Sequence, residues 1–360
     1  MSTDNPSNPI DLLSRTPMPG DERKSIRLGL PSKGRMEGET FDFLGSCGLR
    51  VTKHHPRQYV ASIRAIPEVE VWLQRSADIV HKVCYGNVDL GITGYDSLQE
   101  YADEDHAVIV LHDSLGFGGC QLVLAVPNVW EDVISMDDLS HLAKDRAAKG
   151  HPLRIATKYK RLTQEFLERH QVLPHQLIAA EGALEAGPHM GYVDMIADLV
   201  ATGITLRENH LRPLEDGTIL ESQACLIGNR AALKERPEVL AVAKQLLEFF
   251  DAHLRAANYH NIIANIHGES PEAVAQRVLS QPDLRGLQGP TISPIYLADP
   301  TVHEWFAISL VVRQERLVQA VEQLRGIGAS GVVVLPATYI FEEEPDTYRQ
   351  LVAELKGEDT

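Results

Sequence analysis

The feature that most constrains this chain is a repeated local order: a short apolar run, a polar loop, then a stretch with helical spacing. Residues 26–31 (IRLGLP) break into Ser32-Lys33-Gly34-Arg35, and a helix is expected through Leu44, stopping near Gly45 or Gly48. Residues 49–51 start the next strand. Residues 69–73 precede Gln74-Arg75-Ser76-Ala77-Asp78, where Ser76 or Asp78 suits the cap of a helix over 79–85. Residues 88–93 (VDLGIT) lead through Gly94-Tyr95-Asp96 into a helix over 97–101. Alternation of this kind predicts an α/β fold with a largely parallel sheet. In such sheets ligands collect beyond the carboxyl ends of the strands. Lys33, Arg35, Arg75, Thr93 and Asp96 all come at or just after a strand end, so they are candidates for one shared cleft. Singly, an exposed Lys or Arg is most often a solvated surface charge; the convergence is what argues for function.

A second lobe is expected to open at the glycine-rich hinge of residues 116–127 (GFGGCQLVLAVP), which contains Cys120. A helix over 137–149 and a strand over 153–157 come next, and Lys158 lies just past that strand's end, ahead of a helix over 162–170. Residues 194–206 then form the stretch that draws most attention. Met195, Ile196, Leu199 and Val200 supply a buried run, and Ala201-Thr202-Gly203-Ile204-Thr205 supplies a tight polar loop at a helix start. Backbone N–H groups at such a bend are free, Gly203 permits close approach, and the Thr202 and Thr205 hydroxyls add donors, which together suit a phosphate. Asp194 and Asp198 suit ribose hydroxyls or a magnesium ion beside it. The plain alternative is an ordinary strand, turn and helix with glycine at the bend. Residues 221–229 (ESQACLIGN) are read as crossing back to the first lobe.

Beyond a long amphipathic helix over 233–256 the pattern changes. Strands over 259–266, 291–297, 303–313 and 331–341, with helices over 270–280 and 314–327, give the order β-α-β-β-α-β of ferredoxin-like folds. A formal net charge of −16 argues against nucleic acid or an anionic membrane as partner, though not against a phosphorylated small molecule. Cys47, Cys84, Cys120 and Cys225 form no CxxC pair, and the histidines, His54-His55 included, lack zinc-site spacing. No run is long enough to cross a bilayer. Residues 1–24 are polar and are expected to be a disordered leader, with the protein cytoplasmic.

Several stretches together make the chain similar to the ATP phosphoribosyltransferases in their long form: LPSKGR (30–35), QRSADIV (74–80), VDLGITGYD (88–96), GFGGCQLVLAVP, RIATKY (154–159), GALEAGPHMGYVDMIADLVATGITLREN (182–209), LESQACLIGNR, TISPI and QLRGIGASGVVVLPATYIF. The last of these most resembles plant-type members. The resemblance implies two periplasmic-binding-protein-like catalytic lobes, one from residues 25–115 and 205–255 and the other from 116–204. It also implies a ferredoxin-like regulatory domain at 256–345. It implies the first reaction of histidine biosynthesis, in which N1 of ATP displaces pyrophosphate from phosphoribosyl pyrophosphate with Mg2+ present, the metal held mainly through substrate phosphates. It assigns the 5-phosphate and ribose to Glu185, Asp194, Asp198 and residues 201–205 (Ala201, Thr202, Gly203, Ile204, Thr205). ATP falls to Lys33, Arg35, Arg75, Thr93, Gly94, Asp96 and Cys120, and Asp198, Asp194, Arg35 and Lys158 are the expected catalytic set. Feedback inhibition by histidine and a hexamer built from dimers are implied too.

The sequence departs from the usual phosphoribosyl loop at Ala197, where an acid is common. Ile204 stands where many members carry Thr, and Val193 where Ala is common. The reading from another class is a non-catalytic, two-lobed solute receptor with a sensor domain.

Overall fold

The computed structural model describes residues 25–53, 55, 58–102, 107–180, 182–296 and 304–357. The expected leader over 1–24, His54 and the expected strand ends at Leu297 and His303 lie outside the described residues.

The chain opens with β1 (Ile26–Pro31), α1 (Gly34–Ser46), β2 (Val51–Thr52), β3 (Val60–Ile63), β4 (Val69–Gln74), α2 (Ser76–Cys84), β5 (Leu90–Gly94), α3 (Tyr95–Tyr101) and β6 (Val108–His112). It then runs through β7 (Cys120–Pro127), α4 (Met136–Ala148), β8 (Leu153–Thr157), α5 (Lys160–Arg169), β9 (His175–Ala179), α6 (Gly187–Met190), β10 (Met195–Val200), α7 (Ile204–Glu208) and β11 (Leu211–Ser222). β12 (Ala224–Asn229), α8 (Arg230–Glu235) and α9 (Pro237–Ala256) lead to a second compact unit, residues Gln245–Arg349.

Among the described residues of the first unit there are two sheets. One has the order β2-β3-β4-β1-β5-β12-β6, the other β11-β7-β10-β8-β9. The parallel core expected from the strand–loop–helix order is present as β4-β1-β5 and as β10-β8-β9. Antiparallel strands flank both, because β12 and β7 arrive by direct crossings rather than through helices. β11 hydrogen-bonds to β7, so the second lobe extends to Ser222 and the first resumes at Ala224. The expected boundary at 204–205 falls too early, since the polar stretch Glu215-Asp216-Gly217-Thr218 hides β11 from an apolar-run reading.

The second sheet is buried on both faces. Along β7, Leu124 and Val126 join one apolar layer, with Met136, Leu139, Phe166 and Leu167, while Val123 and Ala125 join the other, with Leu184, Val193, Ile196 and Leu206. The strand period of two fixes the orientation of the neighbouring β10 in the same way. Met195 and Ala197 enter the first layer, so Asp198 faces the opposite side.

The second unit contains β13 (Tyr259–His267), α10 (Pro271–Leu279), β14 (Thr291–Pro294), β15 (Trp305–Arg313), α11 (Leu317–Gly326) and β16 (Ser330–Pro336). Its sheet has the order β14-β15-β13-β16 with every pairing antiparallel, which is the ferredoxin-like arrangement. Ile262, Ile266, Phe306, Ile308 and Leu310 pack against Val274, Val278, Ala320 and Leu324. The last strand stops at Pro336, short of the expected Phe341; proline has no N–H to continue a ladder. Tyr339 and Phe341 instead meet the ring of Phe249 edge-on, with centroids at 6.2 and 5.7 Å. A terminal helix, α12 (Asp346–Lys356), was not expected from the sequence.

Candidate active site

Parallel pairing brings the carboxyl ends of β4, β1 and β5 to one edge of the first lobe. A cleft of about 660 Å³ opens there, lined by Lys33, Arg35, Arg75, Gly94 and Asp96 from the first lobe and Cys120 and Lys158 from the second. Gln74, Ser76 and Gly182 line it as well. A cavity of about 290 Å³ holds Glu185, Asp198, Ala201, Thr202, Gly203 and Thr205, and shares Arg35, Cys120 and Leu199 with the larger cleft. The two spaces are thus contiguous, one rich in cations and the other in acids and loop backbone.

The loop at the end of β10 turns through Gly203, whose φ of 71° lies in the left-handed region that glycine enters without strain. Ile204 begins α7 and is half exposed, outside the lining of either cavity. Asp198 is partly buried, and its Oδ1 accepts the Leu199 N–H at 2.8 Å. Burial pushes its carboxyl up to about 6 and Glu185 adds to the rise, against the Leu199 hydrogen bond and the Lys158 ammonium. Two carboxylates therefore face the loop, and the Glu185 charge makes Asp198 harder to ionise. Such a pair of oxygen donors fits a divalent cation that takes its remaining ligands from elsewhere. Among the described residues no three His, Cys, Asp or Glu side chains gather to hold a metal unaided.

Three expected site residues have other work. Asp194 sits at the opposite end of β10 from the loop. Its carboxylate accepts the Arg154 N–H at 2.8 Å, takes the Arg154 guanidinium at 3.1 and 3.2 Å, and takes Arg146 Nη2 at 2.7 Å. Burial alone would raise its carboxyl, but the Arg154 hydrogen bonds and the Arg146 charge hold it below the ordinary range. It is committed to this pairing and does not line the loop cavity. Thr93 is fully buried, and its hydroxyl donates to the Ser76 carbonyl at 3.2 Å, tying β5 to the start of α2. Asp96 borders the cleft, yet its carboxylate is occupied: Ser222 Oγ and Tyr159 Oη each donate at 2.7 Å, and Ser97 Oγ at 3.1 Å.

Arg35 spans the hinge, its guanidinium donating to the Gly119 carbonyl at 3.3 Å and lying 3.4 Å from Glu39. The Cys120 thiol is raised by burial and by Asp96, which leaves it protonated and unsuited to nucleophilic attack. Tyr159 and Ser222 are the residues that sequence reasoning passed over. Tyr159 ends the stretch RIATKY, and an aromatic hydroxyl just past a strand end was the available signal.

A family model described as ATP phosphoribosyltransferase matches residues 75–250, and one described as HisG, C-terminal domain, matches residues 256–339. The chain is 45% identical over 338 residues to "ATP phosphoribosyltransferase 1, chloroplastic" of Arabidopsis thaliana, covering 93% of this chain and 82% of that protein. The chain belongs to the ATP phosphoribosyltransferase family. It is a pentosyltransferase, and the family's reaction joins ATP to phosphoribosyl pyrophosphate at the first step of histidine biosynthesis. The solute-receptor reading gives way to this. The ATP phosphoribosyltransferase of Brucella anthropi is 41% identical over 225 residues, covering 62% of this chain and 97% of that protein. A solved "ATP phosphoribosyl transferase (HisG:HisZ) complex from Thermotoga maritima" overlays 63% of this chain and 98% of that one, at 23% identity and a TM-score of 0.47. No helix among the described residues is long and apolar enough to cross a membrane.

Proposed function

We propose that the two contiguous cavities divide the substrates, with phosphoribosyl pyrophosphate in the acidic one and the polyphosphate of ATP in the cationic one. The observation that carries this reading is the single lining shared by Asp198, Glu185 and the 201–205 loop. Loop amides and the Thr202 and Thr205 hydroxyls hold the 5-phosphate. Asp198, with Glu185 beside it, accepts the ribose hydroxyls. Lys33, Arg35, Arg75 and Lys158 hold the phosphate chains of both substrates. Asp194 and Thr93 have no part in contact with substrate.

Departure of pyrophosphate builds positive charge on the ribose and negative charge on the leaving group. The carboxylates face the first and the cations the second, so the site stabilises charge as it develops without a covalent nucleophile. Mg2+, when bound through the phosphates beside Asp198 and Glu185, supplies further neutralisation of the leaving group.

The ferredoxin-like unit is the seat of histidine inhibition, the assembly is a hexamer built from dimers, and the protein works in the cytoplasm. The matched C-terminal domain supports the first of these. The decisive assay combines protein, ATP, phosphoribosyl pyrophosphate and Mg2+ and monitors phosphoribosyl-ATP by absorbance. Absence of product under every condition overturns the assignment; insensitivity to millimolar histidine overturns the regulatory part alone.

A further inference from the structure

The start of α5 lacks the usual means of satisfying a helix N-terminus. Its N-cap residue, Tyr159, makes no side-chain cap, no acid lies in the first turn, and Lys160 and Arg161 put two cations there. Exposed N–H groups and the helix dipole both call for a carboxylate at such a position. The carboxylate comes from the other lobe. Glu100 Oε1 and Oε2 accept the N–H groups of Arg161 and Leu162, each at 3.0 Å, and the Glu100 carbonyl takes the Arg161 guanidinium at 3.3 Å.

Four residues earlier on the same helix as Glu100, Asp96 accepts Tyr159 Oη at 2.7 Å. Spacing of i and i+4 puts Asp96 and Glu100 on one face of α3. That face lies across the N-terminus of α5 and holds it at two points. The inner point is sealed: Tyr159 is 3% exposed and Asp96 6%. Ser222, at the crossing back to the first lobe, closes the arrangement by accepting the Asp96 N–H at 2.9 Å while donating to its carboxylate. Lys158, immediately before Tyr159, projects from this junction into the cation-lined cleft.

We infer that Asp96 and Glu100 on α3 clamp the N-terminus of α5, and that Tyr159 and Glu100 are positioning residues that fix Lys158 against the cations of the opposite lobe. The two lobes are thereby set at a working separation before substrate arrives. Polyphosphate contact by Lys158 is the part of the proposed function on which this inference rests. Small displacements of a charge that stabilises a leaving group reduce turnover out of proportion to their size, so the clamp acts on kcat.

The test uses the full chain and four variants: Tyr159→Phe, Glu100→Ala, Lys158→Met and the double variant Tyr159→Phe/Lys158→Met. One hydrogen bond to a carboxylate is lost in Tyr159→Phe, and kcat is expected to fall about tenfold or more. KM for each substrate should stay within about threefold. In Glu100→Ala the Arg161 and Leu162 amides are expected to exchange with deuterium faster than in the unaltered chain, with a smaller fall in kcat; Glu100→Gln, which keeps an acceptor, should recover most of it. Because Tyr159 acts through Lys158, adding Tyr159→Phe to Lys158→Met should cost less than about threefold further. Folded variants with faster exchange at α5 but unchanged kcat overturn the inference. So does full multiplicativity in the double variant. Should Tyr159→Phe fail to fold, Glu100→Ala, at a partly exposed position, decides alone. An inert Lys158→Met beside damaged clamp variants would instead refute the role given to Lys158.

Discussion

Replacing Asp198 by asparagine should make the protein more stable and less active at once. The carboxyl titrates near 6 in the folded protein, against 3.8 for an ordinary aspartate, with burial the main cause and Glu185 adding to it. That rise corresponds to about 3 kcal/mol, at about 1.36 kcal/mol per tenfold. The sign comes from proton binding: between pH 3.8 and about 6 the folded state holds a proton that the unfolded chain has released. Stability therefore falls as pH rises through that window, and the whole penalty is present above it. Asparagine has the same shape and keeps an oxygen for the Leu199 N–H, but it carries no charge to desolvate. Urea unfolding of the ligand-free variant should show a gain of up to about 3 kcal/mol at pH 8, vanishing near pH 4. Turnover should fall at least about a hundredfold, since the charge proposed to face the developing ribose cation is gone. An Asn variant that is no more stable at pH 8 than at pH 4, relative to the unaltered chain, would refute the reasoning about burial. Near-normal activity would refute the assigned role.

The same ionisation should appear in catalysis: log kcat/KM for phosphoribosyl pyrophosphate is expected to decline below about pH 6, and this limb should disappear from the residual rate of Asp198→Asn. Asp194→Asn should behave in the opposite way, losing roughly 2 kcal/mol of stability at pH 7 as two arginines lose their charged partner, with kcat/KM changed less than about threefold. Restoring the acid pair of other phosphoribosyl loops by Ala197→Asp should unfold the chain or cost about 3 kcal/mol or more, read by urea titration, because position 197 faces the apolar layer of Leu124 and Met195. Gly203→Val forces a branched side chain into φ of 71°, and should cost about 1–2 kcal/mol and raise KM for phosphoribosyl pyrophosphate about tenfold.

The strand-end loops were legible because their signal is local. An apolar run, a glycine and a cation lie within about ten residues of one another, and the parallel sheet gathers the loops at its strand ends into one edge. The fates of Asp194 and Thr93 were not legible for the converse reason. Arg146 lies 48 residues before Asp194 and Arg154 lies 40 before it, so only the fold pairs them. Thr93 is spent on a carbonyl 17 positions away. Ala197 shows a middle case. Its departure from the usual loop is visible in sequence, but the reason emerges only when β10 is seen between two apolar layers, one of which takes position 197.

The placement of β12 bears on how the molecule is made. All five strands of the second sheet lie between Cys120 and Ser222, and those two end residues are paired with each other in the β7–β11 ladder. The second lobe is in effect a closed insertion within the first. β12 fills the gap between β5 and β6, and it is synthesised after that whole insertion. A nascent chain that has just passed Ser222 has every strand of the inserted lobe, while in the surrounding sheet β6 still has no partner and the edge of β5 is unpaired. The sheet of the first lobe is therefore finished last, by a single six-residue strand that joins β6 to the five strands ending in β5.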